Sequence, residues 1–205
     1  MVVMREILKA FWSALTNLNE KEYMKSVIAY NCAPTLKSLK AASTVTLCDY
    51  DRNMKNNWQL YKKEILKELS IKSIELRETN NYITILFYDE SLLYNKLKKE
   101  DISCFLSDYG YKPGSSLDQY LYTLKRRYEA MNCPHELGIF LDFPLQDVKT
   151  FIDNPNEPYL LCGYWKVYHN ETYALRAFKS FDEAKLEIIG RVFRDNLLLK
   201  ETLLT

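Results

Sequence analysis

Apolar residues near the start of the chain recur at Ile7, Leu8, Phe11, Trp12 and Leu15, the stripe of an amphipathic helix. Asn19, with Glu22 three residues later, predicts the start of a second helix carrying Tyr23, Val27 and Tyr30, and Pro34 breaks the pattern. The period then changes. Residues 44–50, TVTLCDY, alternate and are β-branched, the signature of a strand. Helical spacing returns within 53–69 at Trp58, Tyr61, Ile65, Leu66 and Leu69. Two more strand-like runs, 71–77 and 82–88, meet through Thr79-Asn80-Asn81 and predict a hairpin.

The middle of the chain reads as helical. Leu92, Leu93 and Leu97 lead one segment, and Ile102, Phe105, Leu106 and Tyr109 the next, stopped by Gly110 and Pro113. Ser116 and Gln119 form a capping box before a helix striped by Leu117, Tyr120, Leu121, Leu124 and Tyr128. Two short helices are predicted to start at Pro134 and Pro144, a favoured first-turn residue. Residues 159–168, YLLCGYWKVY, read as a further strand, and a last helix runs from Glu171 through Ala174, Phe178, Phe181 and Leu186. The expected architecture is one α+β domain over residues 1–205, helix-rich, with a small, mostly antiparallel sheet of about four strands covered by helices.

Composition narrows the function more than it defines it. Of 205 residues, 47% are apolar and 27% charged, the balance of a globular chain. Twenty-eight basic against 27 acidic residues leave a net charge of +1, no footprint for nucleic acid or an anionic membrane. The 136–152 stretch has helix-turn-helix spacing, but its second helix carries Leu145, Asp147, Phe151 and Asp153 with Lys149 as its only base, so two packed core helices explain it better. None of the five glycines builds a phosphate-cradling loop, and the two histidines are too few for a His-rich metal site. The five cysteines are widely spaced, with no C-x-x-C pair, which points to a reducing cytoplasm. Arg5, Glu6 and Lys9 interrupt the N-terminal apolar residues, so no signal peptide is expected, and no run of about 18 apolar residues predicts a membrane span.

The most chemically loaded stretch is Asn132-Cys133-Pro134-His135-Glu136. With Pro134 at a first helical position, Cys133 becomes the N-cap of a short helix, where unpaired N–H groups favour a thiolate. Cys133, His135 and Glu136 are therefore the catalytic candidates, although residues two apart on a helix do not face each other. Cys133, His135 and Cys162, completed by Cys32 or His169, supply zinc-type ligands without matching any paired-ligand spacing. Cys133-Pro134 alone is thin support for a haem ligand. Gly163-Tyr164-Trp165-Lys166-Val167-Tyr168 alternates aromatic and polar residues, fit either for sheet packing or for holding a planar anion.

The segments Cys32-Ala33-Pro34-Thr35-Leu36 with Lys40, Cys133 to Leu141, Pro144 to Val148 with Phe151-Ile152, and Cys162 to Tyr168 together resemble the uncharacterised domain-of-unknown-function family 3793 of anaerobic, clostridia-like bacteria. The resemblance covers nearly the whole chain and departs from the family pattern at Asn31, where histidine is expected, and at Ser38 and Asp142, where glycine is expected. It implies no activity, but it implies that the three cysteine-bearing segments form one feature. The expectation is a cytoplasmic, non-catalytic binding or accessory protein with a ligand pocket framed by Cys32, Lys40, Cys133, His135, Glu136, Cys162, Tyr164 and Lys166. No resident metal or other cofactor is expected, and the partner is a small molecule or a protein, neither nucleic acid nor membrane. The alternatives are a thiol-dependent enzyme or redox protein using Cys133, and a Cys/His metal- or haem-binding protein.

Overall fold

Residues 82–88, YITILFY, are apolar at almost every position, as a strand must be when both its faces are covered. The computed structural model describes residues 2–50 and 52–202. Its N-terminal part runs α1 (Val2–Leu15), α2 (Glu20–Asn31), α3 (Ala33–Leu36), β1 (Ala42–Cys48) and α4 (Met54–Leu69). The hairpin β2 (Lys72–Glu78) and β3 (Tyr82–Tyr88) follows, then α5 (Glu90–Leu97), α6 (Glu100–Ser107) and α7 (Leu117–Met131). The last part holds α8 (Leu137–Phe140), α9 (Leu145–Asp153), β4 (Leu161–Cys162), β5 (Lys166–Val167) and α10 (Glu171–Thr202).

β3 is the middle of a three-stranded sheet in the order β1-β3-β2, antiparallel to both neighbours. Ile83, Ile85 and Phe87 face α2 and α4, packing with Val45, Leu47, Met24, Ile28, Trp58 and Ile65. Leu86 and Tyr88 belong to the other core, built with Leu76 and the helices α5 to α9. Buried Thr84 is satisfied by the Thr46 hydroxyl across the sheet, 3.1 Å away. The long α10 closes the side of the molecule, packing on α1, α2 and α3 through Ile188 and Ile189.

The fold is thus the expected helix-rich α+β arrangement, and its local signals hold well. Asn19 accepts from the Glu22 N–H at 3.0 Å, and both halves of the Ser116–Gln119 capping box form. Three elements differ from the sequence reading. Residues 159–168 do not form one strand. β4 and β5 pair with each other and turn through Gly163-Tyr164-Trp165, so that Trp165 and Val167 bury against Ala174 and Phe181 of α10. Only glycine fits at 163, because a Cβ there would lie 2.3 Å from the Phe178 ring. β1 begins and ends two residues before the predicted 44–50 strand, and Asp49 instead accepts from the Lys55 N–H at 2.8 Å. The helix predicted to start at Pro134 starts at Leu137. Asn132 turns the chain with φ 69°, and residues 134–136 form tight turns, with the Leu137 N–H on the Pro134 carbonyl at 3.0 Å.

Ser38 and Asp142, the two positions where the resemblance implies glycine, both adopt left-handed backbone, with φ 54° and 67°. Ser38 follows the cap of α3, its N–H reaching back to the Thr35 carbonyl. Left-handed backbone costs an L-residue roughly 1–2 kcal/mol, and glycine loses about 0.5–1 kcal/mol of that advantage through unfolded-chain entropy. Ser38→Gly is therefore expected to raise stability by about 0.5–1 kcal/mol and Ser38→Val to lower it. Urea midpoints check this; a lower midpoint for the glycine variant would mean that the Ser38–Asp89 hydrogen bond outweighs the backbone.

Candidate functional site

Helices α8 and α9 pack closely because residue 138 is glycine: a Cβ there would come within 2.9 Å of Val148. Their shared face and the β4–β5 hairpin enclose a cavity of about 390 Å³. Leu137, Leu141, Phe143, Val148, Phe151 and Trp165 make its walls, and Cys133, His135 and Lys166 bring polar atoms to it. A volume of this size suits a small organic ligand, and mostly apolar walls with a few polar groups are the usual composition of such a site.

Asp147 holds the two halves of the cleft together. Its carboxylate is buried and accepts from the Trp165 indole N–H at 2.8 Å and from the Tyr168 and His169 amides at 3.0 and 3.1 Å. Trp165 is thereby fixed against Phe143, ring to ring at 5.3 Å, with Phe178 edge-on at 4.6 Å.

The predicted site residues divide into two neighbouring groups and two outliers. Cys133, His135 and Lys166 line the cavity. Burial, and after it the nearby Cys133 sulfur, push the Tyr128 phenol up to about 12. His135 stands edge-on to Phe151 at 5.1 Å. The Lys166 ammonium donates to the Pro155 carbonyl at 3.1 Å and lies over the Phe151 and Tyr159 rings. With α8 starting four residues after Cys133, no helix N-terminus supports a thiolate there.

The second group surrounds Lys40. This lysine is only 7% exposed, and among the described residues its ammonium makes no hydrogen bond or ion pair. It lies 5.3 Å from the Phe143 ring and 5.8 Å from Phe181, and it lines a second cavity of about 320 Å³ whose walls include Leu141 and Trp165, shared with the first. Burial lowers the Lys40 ammonium to about 8, against the opposing pull of Asp142 and Cys32. Cys32 is fully buried at the α2–α3 junction, and burial pushes its thiol well up. Tyr164 donates to Asp182 at 2.7 Å and sits under Lys185, its phenol pushed up first by burial and then by that carboxylate.

Glu136 and Cys162 are the outliers. The Glu136 carboxylate, 1% exposed, is taken up by Arg127 and by the Tyr111 hydroxyl in the core beneath. Cys162 is exposed on β4, opposite Lys166 in register. Among the described residues no three His, Cys, Asp or Glu side chains gather closely enough to hold a metal ion, so the Cys133, His135, Cys162 and Cys32 set is not assembled. His169 is engaged elsewhere, with Thr150 at 2.9 Å.

Sequence reasoning missed the cavity walls. Leu141, Val148 and Phe151 carry the spacing of core residues, and nothing in one chain marks which apolar face stays partly open. Asp142 was also missed as a junction: it accepts from the Lys96 ammonium at 2.5 Å and from the Ala41 amide at 3.2 Å, tying α5 and the start of β1 to the α8–α9 loop.

Two outcomes follow for stability. Glu136→Ala strands Arg127 and Tyr111 and should cost about 3 kcal/mol, as for other buried pairs that lose one member; a loss under about 1 kcal/mol by chemical denaturation would contradict a structural role. For Lys40 the folded value, about 8, lies below its free value of 10.5, so the unfolded chain binds the extra proton between these limits and stability rises with pH across them. Lys40→Met is expected to be more stable than the parent by up to about 3 kcal/mol at pH 7. That advantage should shrink from pH 8 to 10.5; a pH-independent difference would contradict the assignment.

No curated protein and no solved structure matches the chain. A family profile does match, over residues 28–200, and this span takes in α3, both cavities and most of α10. The chain belongs to the family described as "Protein of unknown function (DUF3793)".

Proposed function

We propose that the protein is a single-domain, cytoplasmic binding or accessory protein of an anaerobic, clostridia-like bacterium, without catalysis of its own at the cleft between α8, α9 and the hairpin. The observation that carries the reading is the make-up of that cleft: six large apolar walls around about 390 Å³, with a lysine ammonium over two aromatic rings at one side. Such a site takes a small, flat, mostly apolar molecule bearing one anionic group, the flat part against Phe143, Phe151 and Trp165 and the anion on Lys166. The cysteines among the described residues are all free, three of them exposed, which supports a reducing compartment, and no helix among the described residues is long and apolar enough to cross a membrane.

Anilinonaphthalenesulfonate has this chemistry and serves as the probe. One equivalent is expected to bind with enhanced fluorescence, and Lys166→Gln should weaken binding roughly tenfold or more, the value of one charge-assisted contact. In a Cys104→Ser, Cys162→Ser background, a bulky maleimide on Cys133 should block the dye, and bound dye should slow the alkylation. Dye binding unaffected by the Cys133 adduct would place the ligand elsewhere and refute the reading.

The rival reading, a thiol-dependent enzyme, draws on one observation, the exposed Cys133 at the cavity beside Tyr128. It requires an alkylation rate at neutral pH well above that of an ordinary exposed thiol. A rate matching Cys104 leaves the binding reading in place.

A further inference from the structure

Lys40 is buried, its ammonium without a hydrogen bond or ion pair among the described residues. Buried cations are normally paired, yet its ammonium faces two phenyl rings and, among the described residues, no carboxylate within ion-pair distance. Asp142, the nearest acid in the loop between α8 and α9, is already occupied by Lys96 and the Ala41 amide. The amine is nonetheless not sealed in: it lines the second cavity of about 320 Å³, whose other polar groups include Arg176 and Ser180 from α10. An uncompensated lysine beside a small hollow that an arginine of α10 also lines is the arrangement of an amine kept as a nucleophile for a carbonyl compound.

We propose that Lys40 forms an imine with a small oxo acid held in this cavity, its carboxylate on Arg176. The Lys40 lone pair adds to the carbonyl carbon, and the carbonyl oxygen takes up a proton to give a carbinolamine. Loss of the amine proton and of that hydroxyl as water then leaves the C=N bond, so carbonyl and amine become imine plus one water. No oxidant or metal takes part. The apolar walls made by Leu141, Trp165 and Phe181 limit the water that would reverse the step.

The charge environment supplies the free amine. Burial lowers the Lys40 ammonium to about 8, with Lys185 on α10 and Lys96 on α5 pushing the same way, and Asp142 and Cys32 opposing. A tenth of the amine is then free near neutrality, against far less for a surface lysine. The proposal does not depend on the dye-binding cleft, and the two tests fail independently.

Pyruvate is the probe. The intact protein is incubated with it, quenched with borohydride to reduce any imine to a stable secondary amine, and digested for peptide mass mapping. One modified lysine is expected, Lys40, with more product at pH 8 than at pH 6, and none in Lys40→Met or Lys40→Arg. Because Lys40→Met should be at least as stable as the parent, unfolding does not explain its loss of labelling. Arg176→Ala should cut labelling by pyruvate several-fold while leaving labelling by the neutral aldehyde propanal unchanged. Labelling spread over surface lysines with Lys40 unmodified would overturn the imine, and full pyruvate labelling of Arg176→Ala would overturn the oxo-acid assignment.

Discussion

One buried carboxylate, that of Asp147, joins the helical half of the cleft to its hairpin half. It takes three hydrogen bonds, from the Trp165 indole and from the Tyr168 and His169 amides, at 2.8, 3.0 and 3.1 Å. Each such bond to a charged acceptor contributes about 1.5–3 kcal/mol, and an unpaired buried donor costs a comparable amount. Strands of two residues have little pairing of their own, so the hairpin depends on this anchor and on its packing against α10. Trp165 is, with Leu141, a wall common to both cavities, so that Asp147, by fixing the indole, helps each of them keep its shape.

Around that anchor the structure spends stability in specific places. Lys40 is buried without a hydrogen-bond or ion-pair partner among the described residues, and Asp142 holds left-handed backbone while receiving Lys96 and the Ala41 amide. Elsewhere the sheet is covered on both faces by two apolar cores, the ion pairs of Lys21 and Lys25 with Glu68 lie on a solvated surface, and Asn53 and Ser70 at the two ends of α4 carry left-handed backbone of their own. What distinguishes the region of the two cavities is therefore the buried Lys40 ammonium rather than its backbone strain.

The elements that were legible in the sequence are those whose signals are local. Asn19 and Ser116 announce helix starts by side-chain chemistry that needs no tertiary partner, and Thr79-Asn80-Asn81 announces the β2–β3 hairpin in the same way. The 159–168 stretch misleads because its aromatic alternation is a packing signal for α10, with Gly163 making the close approach to Phe178, and that partner lies far along the chain. Pro134 misleads for a related reason: it satisfies the rule for a helix start, but Asn132 at φ 69° sends the chain through turns first. In the site, the residue types were visible and their partners were not. Lys40 and Lys166 carry no sign in one dimension that the first is buried and the second lies over aromatic rings, and Glu136 reads as a helix-capping carboxylate or a general base until Arg127 and Tyr111 close on it.

Hydrogen exchange in Asp147→Ala reads whether this carboxylate maintains the shared wall. The Trp165 indole proton and the Tyr168 and His169 amides are expected to exchange roughly 100-fold faster or more than in the parent, while amides of β3 keep their protection. Unchanged protection of the hairpin amides in Asp147→Ala would contradict it, because the hairpin would then hold Trp165 in place without the carboxylate.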